Sequence, residues 1–429
     1  MRVALRVLTV TAAGILASVL GLTGVLLWPE PEQPLRIEPG PHAVRVLETR
    51  QVIPSPGLPA EASLGDANNN LDALRHSDGS VYLAFRTAPH HFASPETRIL
   101  VLRSQDEENW TFERAFELGT DLREPRLLSS GDELFLYVSR LGSNPWAFEP
   151  QGMSLSVRSV SGTWSDLEPF GPPGSIAWRA RHIQNSLALL AYRGGEMTYE
   201  FTAPQQRIDL WRSRNGRNWE LWDPDHGAVY LGGGGEADFA QAGSGDYFGV
   251  IRAEAGDEMG WGSRICRAPE AHPARWACRP DPLKYDSPFV FAHDGVVYAV
   301  ARRNLRGDGH FDRGLGPSHG PWRGLRSLWN QLNYSTARKR CALWRFEPPG
   351  PRLAHVLDLP SQGDTCFPAV LPGSKPGEWI VYDYSSPLDG NDPRWIEGQR
   401  GETRIYRHLL EFRKPKGASL DGSRPSDAR

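Results

Sequence analysis

The chain has 429 residues with 48 Lys plus Arg against 51 Asp plus Glu, a net charge of −3, and no basic stripe interleaved with aromatics, so nucleic acid is excluded as a partner. Gly (44) and Pro (36) are plentiful and aromatic residues make up 10%, as expected of many short strands joined by turns and packed with large side chains. Length alone would allow two domains, but no linker-like break interrupts the body.

The first element is apolar. Val7 to Trp28 holds 22 uncharged residues, preceded by Arg2 and Arg6 and followed by Pro29-Glu30-Pro31-Glu32. That stretch is long enough to cross a bilayer as an N-terminal transmembrane helix, and its basic flank would stay in the cytoplasm. No small-x-small cleavage site follows it, which favours an uncleaved single-pass anchor over a removed signal. Both alternatives export the body to the periplasm or cell exterior. Residues 29–58 read as a linker containing a strand able to close a ring, 59–413 as the repeating body, and 414–429 as a disordered tail.

The body is built of hairpins. Leu71 to Arg86 turns at Asp78-Gly79, Glu124 to Arg140 at Gly131, and Ile183 to Arg193 without glycine. Asp238 to Arg252 turns at Gly243 and Gly245, Phe289 to Arg302 at Asp294-Gly295, and Phe367 to Tyr384 at Gly377. Asp-Gly between apolar runs is a strong hairpin signal because the favoured turn needs positive φ. Further alternating runs follow, such as Arg98 to Leu102 and Arg207 to Trp211. Four strands per unit and six units predict an all-β fold, a six-bladed β-propeller. The last interval is too long for one blade, so an insertion is expected at about 305–337. It is rich in Gly, Arg, His, Pro and Trp without sustained alternation, and reads as a long loop. Its Trp322, Trp329, Arg313, Arg323 and Arg326 would form a sugar-stacking or anionic patch, or else pack the loop onto the rim.

Four cysteines in an exported chain suggest two local disulfides, Cys266 with Cys278 and Cys341 with Cys366, among three connectivities. Their spacing does not suit a metal, and His90-His91 has no third ligand nearby. No cofactor is expected.

Residues equidistant from a hairpin turn finish at the same end of the blade. Asp72 and Arg86 each lie seven from Gly79, and Arg252 and Arg302 lie seven after Gly245 and Gly295. With Glu124, Glu236, Asp238 and Asp286 before their turns, carboxylates and guanidiniums of several blades are expected at one mouth of the channel. Such a ring suits carbohydrate or another polar or anionic small ligand. The alternative is a rim finished with exposed ion pairs that carry no function.

Two stretches, Arg103-Ser104-x-Asp106-x-x-Asn109-Trp110 and Arg212-Ser213-x-Asn215-x-x-Asn218-Trp219, share one signature. It resembles the Asp box of sialidase-like propellers, Ser-x-Asp-x-Gly-x-Thr-Trp, although Ser to Trp spans six steps here and seven in the family. The resemblance covers roughly residues 60 to 412 and assigns Ser104, Asp106, Trp110, Ser213, Asn215 and Trp219 to the fold. It further implies that Glu236 and Arg252 match a Glu that polarises a tyrosine nucleophile and an Arg that holds the sialic carboxylate. The family's first Arg falls at Asn70-Leu71-Asp72 and its Tyr near Phe367, so orthodox sialidase chemistry is not expected. Inverting propeller glycosidases are similar in placing acids at the starts of inner strands. On that pattern Asp72, Glu124 and Glu236 would be base, modulator and acid, and Arg86, Arg126, Arg181, Asp238, Arg252, Asp286 and Arg302 would bind substrate. The expectation is therefore a membrane-anchored, glycoside-directed propeller, a hydrolase or alternatively a glycan-binding or envelope scaffold module.

Overall fold

The computed structural model describes residues 31–145, 147–197, 205–314, 320, 322–347 and 352–414. Within them six antiparallel sheets are arranged as the blades of a propeller. Blade one comprises β2 (Ala67–Arg75), β3 (Val81–Ala88), β4 (Arg98–Ser104) and β5 (Thr111–Phe116), paired in chain order. Blades two to five repeat that order from Asp121, Ile176, Ala237 and Asp286, with one short extra strand, Tyr230–Gly232, in blade three. Blade six takes β23 (Ala369–Pro372), β24 (Glu378–Ser385) and β25 (Arg404–Arg413) from the end of the chain and its outermost strand, β1 (Ala43–Ile53), from the start. Pairing Ala43 with Arg413 and Ile53 with Ile405 fastens the two ends of the chain together and closes the ring of blades.

The inner strands are buried on both faces, whereas the outermost strands are partly exposed. Val81–Ala88 is buried throughout, and the facing surfaces of neighbouring blades carry Leu, Val, Phe and Tyr. The two Ser-x-Asp/Asn stretches are tight turns between the third and fourth strands of blades one and three. Asp106 Oδ1 accepts from the amides of Glu108 and Asn109 at 2.8 Å, and Asn215 Oδ1 accepts from Arg217 and Asn218. Trp219 then lies edge-on to Tyr137 and Phe170 of blade two. Disulfides join Cys266 to Cys278 and Cys341 to Cys366.

Two expectations need correction. The insertion is not a structureless loop: it contains helix α1 (Trp322–Ser335), whose residues follow a period of three to four and not the alternation of a strand. Blade three begins at Ile176, seven residues before the Ile183 expected from sequence, which adds Trp178 and Arg179 to the channel wall. No described helix is long and apolar enough to cross a membrane, and Val7–Trp28 lies outside the described residues, as do residues 415–429.

Candidate functional site

The innermost strands of four blades carry a register slip at equivalent positions: Asn69/Leu71, Arg123/Arg126, Ala177/Arg179 and Asp286/Phe289. A bulge of this kind bends the strand and re-aims the extra residue. At three of the slips the backbone has positive φ, at Asn70 (42°), Glu124 (51°) and Ser287 (50°), a conformation uncommon for non-glycine residues. The re-aimed groups join adjacent blades at one mouth of the channel. Asn70 Nδ2 donates to Glu124 Oε1 at 2.9 Å, and the Ser287 amide donates to Glu236 Oε2 at 2.7 Å.

Around that mouth lies a cavity of about 340 Å³ with a charged side and an aromatic side. On the charged side, Arg252 Nη1 lies 2.7 Å from Glu236 Oε1 and 3.1 Å from Glu254 Oε2. Lys284 Nζ bridges Glu254 at 2.6 Å and Asp286 at 3.3 Å, and Asp286 continues to Arg302 at 3.4 Å. Arg302 donates to Tyr384 Oη at 3.2 Å and to the carbonyls of Thr365 and Cys366. Tyr384 in turn donates to Asp364, which also contacts His91 at 2.6 Å. Phe92, Phe148, Tyr192, Phe367 and Trp395 supply the aromatic side.

The electrostatics separate two carboxyls that share one guanidinium. Burial, and then the charges of Asp286 and Glu124, outweigh Arg252 and push Glu236 up to about 7. Glu254 is equally buried, but Arg252 and Lys284 together overcome that penalty and hold it at about 2. Because one nitrogen touches both, their nearest oxygens lie within about 6 Å of each other, the scale on which paired carboxyls cleave glycosides. Near neutral pH one can donate a proton while the other stays ionised.

The structure splits the residues singled out from sequence. Glu124, Glu236, Arg252, Asp286 and Arg302 line the mouth. Asp72, Arg126 and Asp238 do not reach it; with Arg179 they form a buried layer deeper in the channel. Asp72 accepts from the Leu127 amide at 2.9 Å and Asp238 from the Val290 amide at 2.7 Å, so both satisfy the exposed edge of the next blade's inner strand. Arg126 is fully buried between the rings of Trp178 and Phe367, 5.0 and 4.5 Å away. Arg181 pairs with Asp238 and opens instead to a wider cavity of about 800 Å³ at the opposite end. Arg86 is also withdrawn: it pairs with Asp121 at 2.9 Å and donates to the carbonyls of His90 and Phe92, bracing the loop that carries His91. The single bowl expected from the hairpins is thus a smaller mouth above a packed ion-pair layer. Glu236 does not polarise a tyrosine; its hydrogen bonds go to Arg252 and Ser287.

Several mouth residues escaped the sequence reading. Comparison with the sialidase tyrosine sets Tyr384 at the wrong end of its turn or strand, but it lies seven after Gly377, the offset that places Arg252 and Arg302, and stands at the mouth beside Arg302. Glu254 is two residues beyond Arg252 on the same strand face, which was also readable. Lys284 precedes blade five, and Tyr334 comes from α1 to donate to Asp286 while packing against Lys284 and Lys339 at 3.9 and 3.7 Å. Nothing local in the sequence marks these two. In the insertion, Arg323 and Arg326 stack on Trp261 and Arg326 pairs with Asp312, so they pack the helix onto the body. Two groups among the described residues have metal-ligand spacing, His42-His293-Asp294 and Cys341-Cys366-Asp383. Neither lines the mouth, and the second pair of cysteines is already bonded.

No family model matches the chain, and no curated protein matches it in sequence. Solved structures do match it in shape. A protein of unknown function from Dyadobacter fermentans superposes with TM-score 0.57 at 14% identity, over 86% of this chain and 100% of that one. Trypanosoma rangeli sialidase in complex with sialic acid superposes with TM-score 0.53 at 10% identity, over 88% of this chain and 60% of that chain. A mutant of the same sialidase displaying trans-sialidase activity gives 0.51 at 12% identity. At such identities the likeness establishes the fold.

Proposed function

We propose that this chain is an exported, membrane-anchored, glycoside-directed propeller whose mouth hydrolyses a glycosidic bond. The observation that carries the reading is the pair Glu236 and Glu254 on one nitrogen of Arg252, with proton affinities driven apart. Glu236, protonated near neutral pH, is the acid that protonates the leaving oxygen. Glu124 faces it across the mouth and raises its proton affinity, the part of a modulator. Ionised Glu254 replaces Asp72 as the opposing carboxylate and stabilises positive charge developing at the anomeric carbon, and the water that adds to that carbon returns a proton to the Glu236 carboxylate. Phe92, Phe148 and Trp395 offer apolar faces for a sugar ring. The anchor rests on the apolar stretch Val7–Trp28, and the two disulfides suit an oxidising compartment.

A second reading, a glycan-binding module without turnover, is favoured by one feature. Glu236 with Arg252 and Asp286 with Arg302 are each neutralised within their own blade, which stabilises a rigid platform. A panel of aryl glycosides, the sialyl one included, tests both. Turnover that disappears in Glu236→Gln supports the hydrolase. Binding of glycans with no turnover on any substrate refutes the hydrolase and leaves the module.

A further inference from the structure

Helix α1 is built inside out for a globular protein. Its side toward the propeller is small and polar, with Gly324, Ser327, Asn330 and Asn333 buried beside Tyr334. Its apolar residues face outward: Trp322 is 57% exposed, Leu325 47% and Leu328 48%. Spaced three apart, they form one stripe on the helix surface, with Trp329 half-buried beside it. Three of the nine large apolar residues exposed among the described ones are on this helix, and Met259, at 43%, lies on the hairpin whose Gly256 carbonyl Arg323 grips. An apolar stripe backed by a polar, hydrogen-bonded face has no solvent-side rationale and marks an interaction surface.

The path of the chain says what covers it. The described part begins at Pro31, with Pro29 and Glu30 between it and the 22-residue apolar stretch, and Glu32 is held at the root of the insertion. Glu32 bridges with Gly307, the Gln33 amide donates to the Gly307 carbonyl at 3.0 Å, and Glu32 pairs with Arg303 at 2.8 Å. Arg306, next to Gly307, donates to Asn333 of α1 at 3.0 Å. The described chain therefore begins, three residues after the apolar stretch ends, beside the helix that displays the stripe, and the insertion rises from the same end of blade five that carries Arg302. We infer that α1 is an interfacial membrane helix: Trp322, Leu325 and Leu328 sit in the headgroup layer of the bilayer that holds the N-terminal stretch. Trp at the water–lipid boundary and Leu below it are the residues such a helix uses. Docking of this kind would hold the candidate mouth close to the membrane surface.

Most of the positive charge around the stripe is paired: Arg313 faces Asp308, Arg326 faces Asp312, Arg338 and Arg340 share Asp392, and Arg323 is turned to the carbonyls of Ala255 and Gly256. The contact should therefore depend on apolar burial and respond little to anionic lipid. The test uses the full-length chain in phosphatidylcholine nanodiscs, with and without brominated acyl chains that quench tryptophan. The wild type should lose more emission than Trp322→Ser, by about one tryptophan's share of the 15. Leu325→Ser/Leu328→Ser, which keeps Trp322 as reporter and changes only exposed positions, should lose the same component. Replacing a third of the lipid with phosphatidylglycerol should leave the quenching unchanged. Equal quenching of wild type and Trp322→Ser would overturn the inference. So would a Trp322 that is buried yet unquenched by bromolipid, which would mean that the N-terminal stretch or a second copy covers the stripe.

Discussion

The proton held by Glu236 makes a quantitative prediction for Glu236→Gln. In an unfolded chain this carboxyl titrates at its ordinary 4.5, whereas in the folded mouth it is pushed up to about 7 by burial, Asp286 and Glu124. Between those values the folded state keeps a proton that the unfolded state has released, so stability falls as pH rises. At about 1.4 kcal/mol per unit, the Glu236 contribution is fully present below pH 4.5 and about 3 kcal/mol of it is gone above pH 7. The glutamine variant keeps the shape, has no such term, and leaves Arg252 with Glu254 as its partner. Urea unfolding of both proteins from pH 4.5 to 8.5 should show the variant gaining on the wild type by about 3 kcal/mol across that window. The same ionisation should set the falling limb of kcat/KM near pH 7, with turnover reduced at least about 100-fold in the variant. Parallel stability curves would refute the buried-acid argument itself. A stability change without any pH-dependent activity would refute only the catalytic role.

Glu254 works with the opposite sign. Held at about 2 by Arg252 and Lys284, it contributes stability above its ordinary 4.5 that is lost as pH falls toward 2. Glu254→Gln should cost about 3 to 5 kcal/mol at pH 7, because Lys284 stays buried with one partner fewer, and the gap in urea stability should narrow at pH 3. Arg86→Met should cost about 1 to 3 kcal/mol, because Asp121 loses one of two guanidinium partners and keeps Arg123 and Thr97, and amide exchange at residues 90–92 should accelerate as their carbonyls lose the guanidinium. Cys341→Ser/Cys366→Ser opens a link spanning 25 residues and should lower stability by about 3 kcal/mol. Turnover should fall with it, since the carbonyls of Thr365 and Cys366 hold Arg302 at the mouth. Cys266→Ala/Cys278→Ala should destabilise the chain while leaving kcat unchanged, because that pair joins outer strands of blade four.

Much of the architecture could be read without coordinates, because its signals are local. Asp78-Gly79, Gly131, Gly245, Asp294-Gly295 and Gly377 mark turns whose backbone requirement excludes most other residues, and their spacing counts the blades. The fixed offset from those turns placed Arg252 and Arg302 at one end, and would have placed Tyr384. Helix α1 was also legible, in the spacing of Trp322, Leu325 and Leu328.

The division between mouth and interior was not legible. A single-residue bulge turns a strand's side chains to the opposite face, and nothing in the residue types of Asn70, Glu124 or Ser287 announces that their backbones adopt positive φ. Asp72 and Glu236 look alike on paper. One is drawn to the Leu127 amide within the channel, and the other to Ser287 and Arg252 at its rim. Proton affinity depends on charges contributed by other blades, as Asp286 and Glu124 act on Glu236, and Tyr334 arrives from an insertion 48 residues beyond Asp286. Turn chemistry and periodicity are properties of neighbouring residues, so the sequence alone determined the six-fold repeat and the strands. Burial and charge coupling depend on distances across the ring, and only the closed propeller decided those.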